Sequence, residues 1–278
     1  MRRTLLAPCL AGLSLAVAVR VASSAVAVPS PQEVKPGSVV RWPGEGISRC
    51  AMASKSWAPL AGACYFAVDL LAEGTFTVER TQAGKTERRT LRVAAYPYPE
   101  QHIEIQDQSK VDLSPADLKR TEREEREVGK LFASSGSRRF TLPLGRPLTE
   151  LPPGGRFGSR RWFNGQPRNP HTGADFAATE GTPVFASAEG KVVLAKDLFF
   201  SGNSVFVDHG DGLITMYFHF SKILVKVGQE VKRGSEVGLV GATGRASGPH
   251  LHMGVRWHGA RVDPEPLLAA PGTIPALN

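Results

Sequence analysis

The chain has 278 residues, with 34 Lys and Arg against 26 Asp and Glu, giving a formal net charge of +8. That length argues for more than one domain, since a single core usually holds roughly 100–150 residues. The basic balance suits an anionic polymer such as a cell wall better than nucleic acid, for which no RNA- or DNA-binding motif is present.

The first residues read as an export signal. Met1-Arg2-Arg3 is a short basic start, an apolar, Ala-rich stretch follows, and Ala25-Val26-Ala27 offers small residues at the spacing a signal peptidase accepts. Only sixteen residues separate Arg3 from Arg20, fewer than the roughly 20 apolar residues of a spanning helix. Residues 1–27 are therefore expected to be removed, leaving no stable membrane span and a periplasmic protein. Loss of Arg2, Arg3 and Arg20 would lower the formal charge from +8 to +5. Cys9 leaves with this segment, and an oxidising compartment makes a structural disulfide between Cys50 and Cys64 the natural expectation.

Residues 28–108 read as a small β-sandwich-like domain. Phe76, Val78 and Arg80 alternate with Thr75, Thr77 and Glu79, Leu91, Val93 and Ala95 alternate with polar or small neighbours, and residues 82–85 turn one strand into the other. His102 stands alone there and reads as a surface residue. A region of this length ahead of a catalytic portion could also cover its site.

Residues 109–135 predict a helical linker. Ser114 offers an N-cap hydroxyl, Pro115 fits the first helical position, and Asp117 places a carboxylate three residues on. The mixed charges of residues 119–127 support a helix by i to i+4 pairs without much buried face.

Residues 136–278 change texture to strands punctuated by glycine, at 181–186, 190–195, 204–209, 212–219, 236–240 and 250–257. So little helix indicates an antiparallel β domain, and the whole chain is expected to be mainly β. This portion holds six of the seven histidines. His171 and Asp175 form an H-x-x-x-D pattern on a loop entering a strand, and Tyr217 and His219 form Y-x-H. His250 and His252 form H-x-H, which a strand's period of two projects to one face. Two histidines and one carboxylate fill a catalytic zinc site that keeps a position for water, and the surplus histidines become candidates for proton transfer. His209 reads equally as a turn residue or a participant, and His258 as a loop tip.

These motifs carry a resemblance. His171-Thr172-Gly173-Ala174-Asp175, residues 181–186, Tyr217-Phe218-His219, Gly241-Ala242-Thr243-Gly244 and residues 247–252 resemble, in that order, the M23 (lysostaphin/LytM-type) zinc metallopeptidases, over a core of residues 157–268. The resemblance implies an antiparallel β catalytic fold with one Zn2+ per chain. It makes His171, Asp175 and His252 the metal ligands and His219 and His250 the catalytic pair, with His250 the favoured general base and the two roles exchangeable. It implies hydrolysis of peptidoglycan stem peptides, with D-alanyl to meso-diaminopimelate cross-links favoured over polyglycine bridges. Arg160, Arg161 and Asn164 precede the first ligand and are candidates to line the groove, where guanidinium would pair with stem-peptide carboxylates. Two other readings stand beside this one. A catalytically silent LytM-type activator of wall amidases would have lost site residues that are intact here. The hairpin texture of residues 181–191 and 227–235 also resembles biotinyl and lipoyl carrier modules, but it lacks their modifiable lysine and leaves the histidines unexplained.

Overall fold

A computed structural model describes residues 30–133 and 136–277. The expected export signal lies outside the described residues. The chain is mainly β, as its alternation and turn residues predict. Among the described residues, no helix is long and apolar enough to cross a membrane.

A seven-stranded antiparallel sheet positions the site. Its order runs from Gly173–Ala177 through His250–Trp257, Leu213–Phe220, Gly202–Asp208 and Gly190–Leu198 to Glu230–Val231, with Ala260–Val262 paired to His250–Trp257. Strand alternation divides the residues between two faces. Leu251, Met253, Val255 and Trp257 join Leu213 and Tyr217 in the main apolar core on one face. The other face carries Ile214, Met216 and Phe206 at one end and His250 and His252 at the other. A small sheet of Pro183–Phe185, Glu236–Leu239 and Lys222–Ile223 packs beside the main one, with Val184 and Val237 fully buried in the shared core.

Residues 32–93 form a five-stranded sheet and a separate two-stranded pair, Val39–Pro43 with Ala63–Ala67. The expected disulfide is present, joining Cys50 and Cys64 with Cα atoms 5.5 Å apart. Both cysteines lie in a buried cluster with Trp42, Phe66 and Leu91. The face opposite that cluster contributes Val39, Tyr65 and Ala67 to the main core, so the two portions share apolar packing. Tyr65 stacks on Trp257 with ring centroids 5.7 Å apart. Asp69 accepts two hydrogen bonds from the Arg261 guanidinium, each 2.9 Å.

The strand Glu100–Ile103 runs parallel to Arg160–Phe163, which pairs in turn with Gln166–Arg168. A sheet is thus built from residues on both sides of the helix, and it carries the earlier stretch toward the face that bears His250 and His252.

The helix Pro115–Leu131 begins as its sequence predicts, with the Ser114 hydroxyl accepting from the Asp117 backbone N–H at 3.1 Å. Its charged run does more than solvate it. Glu124 is buried and accepts a 2.8 Å hydrogen bond from the Phe199 backbone N–H, while its other oxygen accepts from Arg120 at 2.7 Å. Val128, Leu131 and Phe132 pack on the outer cluster of the main sheet. The helix is therefore pinned to the sheet by one buried carboxylate and a short apolar stripe.

Candidate metal centre and active site

Neighbouring strands in register bring the ligand candidates together. Asp175 on Gly173–Ala177 lies directly opposite His252 on His250–Trp257, and His252 lies opposite Phe218 on its other side. Cross-strand partners share a face, so the carboxylate, imidazole and phenyl ring point the same way. Phe218 stacks on His252 with centroids 4.9 Å apart and planes 3° from parallel. Gly173 is required by this packing, because a Cβ there would lie 2.5 Å from His252 Nε2 and 2.4 Å from the Met253 carbonyl oxygen. His171 enters from the loop ahead of the strand, as expected, and is buried.

Three donor atoms converge. His171 Nε2 lies 2.8 Å from His252 Nδ1, His252 Nδ1 lies 2.8 Å from Asp175 Oδ1, and His171 Nε2 lies 3.1 Å from Asp175 Oδ1. A tetrahedral ion with bonds near 2.0–2.1 Å holds its donors about 3.3 Å apart, so a small shift of the side chains would accommodate one. The protonation chemistry agrees with the geometry. His171 Nδ1 sits 2.8 Å from the Arg156 carbonyl oxygen. A carbonyl only accepts, so Nδ1 carries the proton and Nε2 presents a lone pair. Burial pushes the His171 imidazole down to about 4 and also lowers His252. Burial alone would raise the Asp175 carboxyl, but the ring nitrogens of His171 and His252 packed against it hold it well below the ordinary carboxylate range. Two neutral imidazoles and one carboxylate suit a divalent metal of intermediate softness.

His219 and His250 stand beside this cluster with ring centroids 4.8 Å apart. His219 Nδ1 donates to the Thr243 carbonyl at 2.8 Å, and His250 Nδ1 donates to the Gly248 carbonyl at 2.8 Å. Each ring therefore keeps Nε2 as a proton acceptor, and His250 Nε2 lies 3.7 Å from Asp175 Oδ1. Burial pushes His219 down to about 3, reinforced by the neighbouring His252 and His250, so that ring is neutral at neutral pH.

The position of His219 departs from simple strand period. Tyr217, two residues earlier, points into the main core, where its hydroxyl meets the Ser187 backbone N–H at 2.9 Å. Alternation would send His219 the same way. Instead the pairing with Gly202–Asp208 slips between Asn203 and Val205, and His219 takes φ +64°. A bulge combined with a left-handed residue turns Phe218 and His219 toward the same side. This conformation costs a non-glycine residue roughly 1–2 kcal/mol, and such strain concentrates at functional sites.

Asp175, His219 and His250 line a cavity of about 340 Å³, together with Ile103, Ile105, Phe163 and the arginines at 156, 161 and 245. Ile103 and Ile105 are its members from residues 28–108, so that stretch forms one wall. Of the three residues expected to line the groove ahead of the first ligand, Arg161 does so, but its guanidinium donates to Asp175 Oδ2 at 2.8 Å. It holds the carboxylate oxygen that faces away from His171 and His252. Arg160 is exposed, 3.7 Å from Glu100. Asn164 is occupied in a turn, bonding both backbone groups of Ile105. Neither lines the cavity.

The remaining histidines lie elsewhere. His209 is fully buried, with Nδ1 2.8 Å from the Glu189 carbonyl and Nε2 2.8 Å from Thr215 Oγ1, in a network that reaches Tyr217 and Ser187. His258 sits at the tip of the hairpin joining His250–Trp257 to Ala260–Val262, as its sequence context suggests, but the tip is covered. Its ring packs 4.0 Å from Trp57 and lies 3.5 Å from Asp211. His102 is exposed, as expected, and stacks on Trp162.

Comparison with known proteins agrees with this geometry. The family model of peptidase family M23 matches residues 169–264. A crystal structure described as a putative peptidase M23 from Pseudomonas aeruginosa superposes with TM-score 0.64 and 34% sequence identity, covering 87% of this chain and 96% of that one. The peptidoglycan DD-endopeptidase ShyA of Vibrio cholerae is 53% identical over 83 residues, which is 30% of this chain and 19% of that protein. The DD-carboxypeptidase/endopeptidase Mpg of Neisseria gonorrhoeae is 44% identical over 94 residues, 34% of this chain and 22% of that protein. The chain thus matches about a fifth of the length of these curated relatives. With a solved relative 34% identical and matched over 96% of its length, and with His171, Asp175, His219, His250 and His252 gathered at one site, the chain belongs to peptidase family M23.

Proposed function

We propose that the protein is a zinc-dependent endopeptidase that hydrolyses peptide cross-links of peptidoglycan, with D-alanyl to meso-diaminopimelate bonds as its substrate. The observation that carries this reading is the convergence of His171 Nε2, Asp175 Oδ1 and His252 Nδ1 beside two histidines whose Nε2 atoms are left as acceptors. The peptidoglycan endopeptidase names of the curated relatives support the substrate class. Action on the cell wall implies a location outside the cytoplasm, and we place the protein in the periplasm, delivered by residues 1–27. Residues 136–278 would be the catalytic portion, with a core at 157–268, joined by the 109–135 linker to the β portion of residues 28–108.

His171, Asp175 and His252 would hold one zinc ion, which when bound supplies Lewis acidity toward the scissile carbonyl and makes water a competent nucleophile near neutral pH. The protein groups supply the rest. Backbone carbonyls hold His219 and His250 in the tautomer that leaves Nε2 unprotonated. His250 acts as general base, taking the proton of the attacking water and returning it to the leaving amine. His219 Nε2 accepts a hydrogen bond from the attacking water and, once protonated, donates one to the oxygen that gains charge as the tetrahedral intermediate forms. Arg161 keeps Asp175 oriented through the oxygen that does not face the other ligands. Incubation of zinc-loaded protein with purified cross-linked muropeptide dimers, followed by mass analysis, tests the reading. Monomers bearing an intact D-alanine terminus are expected, and persistence of the dimers at high enzyme would refute it.

A further inference from the structure

The cavity beside the candidate metal centre has an unbalanced charge. Three arginines line it, Arg156, Arg161 and Arg245, against a single acidic residue, Asp175. Arg161 already engages that carboxylate. Arg245 has no such partner. Among the described residues no carboxylate lies within ion-pair distance of it, and its one side-chain hydrogen bond is a long one, 3.4 Å from Nη1 to the Lys110 carbonyl oxygen.

The fold nevertheless holds Arg245 in place. Its backbone N–H donates to the Phe200 carbonyl at 2.7 Å. Gly244 before it takes φ +75° and approaches so closely that a Cβ there would lie 2.3 Å from the Gly202 nitrogen. Thr243 Oγ1 donates to the Phe220 carbonyl at 2.8 Å and accepts from the Asn203 backbone N–H at 2.9 Å. The guanidinium sits against two rings, with its central carbon 4.1 Å from the Phe200 centroid and 4.4 Å from the Phe163 centroid. Burial pushes the Arg245 pKa down to about 10, and the charges of Arg168 and Arg161 push the same way. A half-buried cation held on aromatic faces, beside other cations and without a protein anion, is a receptor for an external one.

We propose that Arg245 is the specificity residue of the site and binds a free carboxylate of the substrate next to the scissile bond. This inference rests on the peptidoglycan reading above and narrows it. Arg245 shares its cavity with His219 and His250, so its anion must lie within a few atoms of the reacting carbonyl. In a D-alanyl to meso-diaminopimelate cross-link, one carboxylate meets that condition, because it is borne by the same carbon that carries the scissile nitrogen. A polyglycine bridge has no carboxylate there. The planar guanidinium fork matches a carboxylate in two-point contact, which a lysine ammonium does not reproduce.

The test compares two cross-linked dimers, one with that carboxylate free and one with it converted to the primary amide, as substrates for the zinc-loaded full chain. A hydrogen-bonded charge pair of this kind corresponds to roughly 10- to 100-fold in kcat/KM. The wild type is expected to favour the free acid by that factor, mainly through KM. Arg245→Gln is expected to bring the ratio close to one, and Arg245→Lys to give an intermediate ratio. The lysine variant retains charge on the aromatic faces and serves as the deciding variant if the glutamine variant does not fold. A wild-type ratio near one, a full ratio in Arg245→Gln, or a full ratio in Arg245→Lys would overturn the assignment while leaving the endopeptidase reading in place. Cleavage of neither dimer would overturn both.

Discussion

His219 faces His250 at 4.8 Å between ring centroids although strand period alone would turn it into the opposite core beside Tyr217. The left-handed backbone of His219 and the slipped pairing opposite it produce that contact. The protein therefore accepts local strain in order to complete a pair of proton acceptors.

The His219 ring is expected to act on the reaction rather than on metal retention. His219→Gln keeps a polar side chain but removes the imidazole Nε2, and kcat should fall roughly 100-fold or more. Metal content per chain should stay close to that of the wild type. Loss of metal in this variant would place His219 among the ligands instead.

Arg161 makes a different prediction. Its guanidinium donates to Asp175 Oδ2, so Arg161→Met leaves a largely buried carboxylate short of one donor. Removing one member of such a pair costs roughly 2–4 kcal/mol. Bound metal offsets part of that loss by supplying its own positive charge. The variant should therefore melt well below the wild type when metal-free and much closer to it when metal-loaded, as read by thermal unfolding in chelator and in zinc. Equal drops in both conditions would contradict the role assigned to Arg161.

His209 links stability to pH independently of the metal centre. Burial lowers its folded pKa to about 4 from an ordinary value near 6.5. A depressed imidazole pKa means that the unfolded chain binds the proton first, so stability is lost as pH falls from about 6.5 toward 4 and levels off below that. The contribution is on the order of 3 kcal/mol. His209→Gln should flatten the urea-unfolding profile across this window whatever its effect at pH 7. An unchanged slope would show that His209 does not titrate as described.

The disulfide predicts a stability change confined to the amino-terminal core. Its sequence separation of 14 residues corresponds to about 3 kcal/mol of loop-closure stabilisation. Cys50→Ser with Cys64→Ser should lower the urea midpoint accordingly and leave kcat of the surviving folded protein near wild type. A kcat loss in proportion to the stability loss would mean that the Ile103 and Ile105 wall depends on this core more closely than the packing indicates.

Much of the candidate site is legible in the chain itself. The H-x-H pair needed only strand alternation, and Asn169, Pro170 and Gly173 marked the loop that carries His171 into its strand. The Cys50 and Cys64 pairing followed from compartment and count. What could not be read depended on tertiary placement. Nothing in Y-x-H signals the bulge that reverses His219, because a left-handed residue is chosen by its neighbours across the sheet. Arg161 is visible as a groove candidate, but its partner Asp175 lies on another strand, and the pairing of its own strand with Glu100–Ile103 and Gln166–Arg168 positions it. Arg245 sits inside a recognisable motif, yet its lack of a protein anion is a property of the packed cavity. His258 is the loop tip that its Gly259 neighbour suggests, but no local signal shows that Trp57 from the amino-terminal sheet covers that tip.

The central claim is the division of labour along one strand, where His252 holds metal and His250, two residues away, moves protons. Parallel measurement of zinc content and dimer cleavage in His250→Ala and His252→Ala tests it most directly. His250→Ala is expected to keep about one zinc per chain and lose cleavage, roughly 100-fold or more, while His252→Ala loses both. Retained cleavage in either variant, or zinc lost from His250→Ala and kept in His252→Ala, would contradict it.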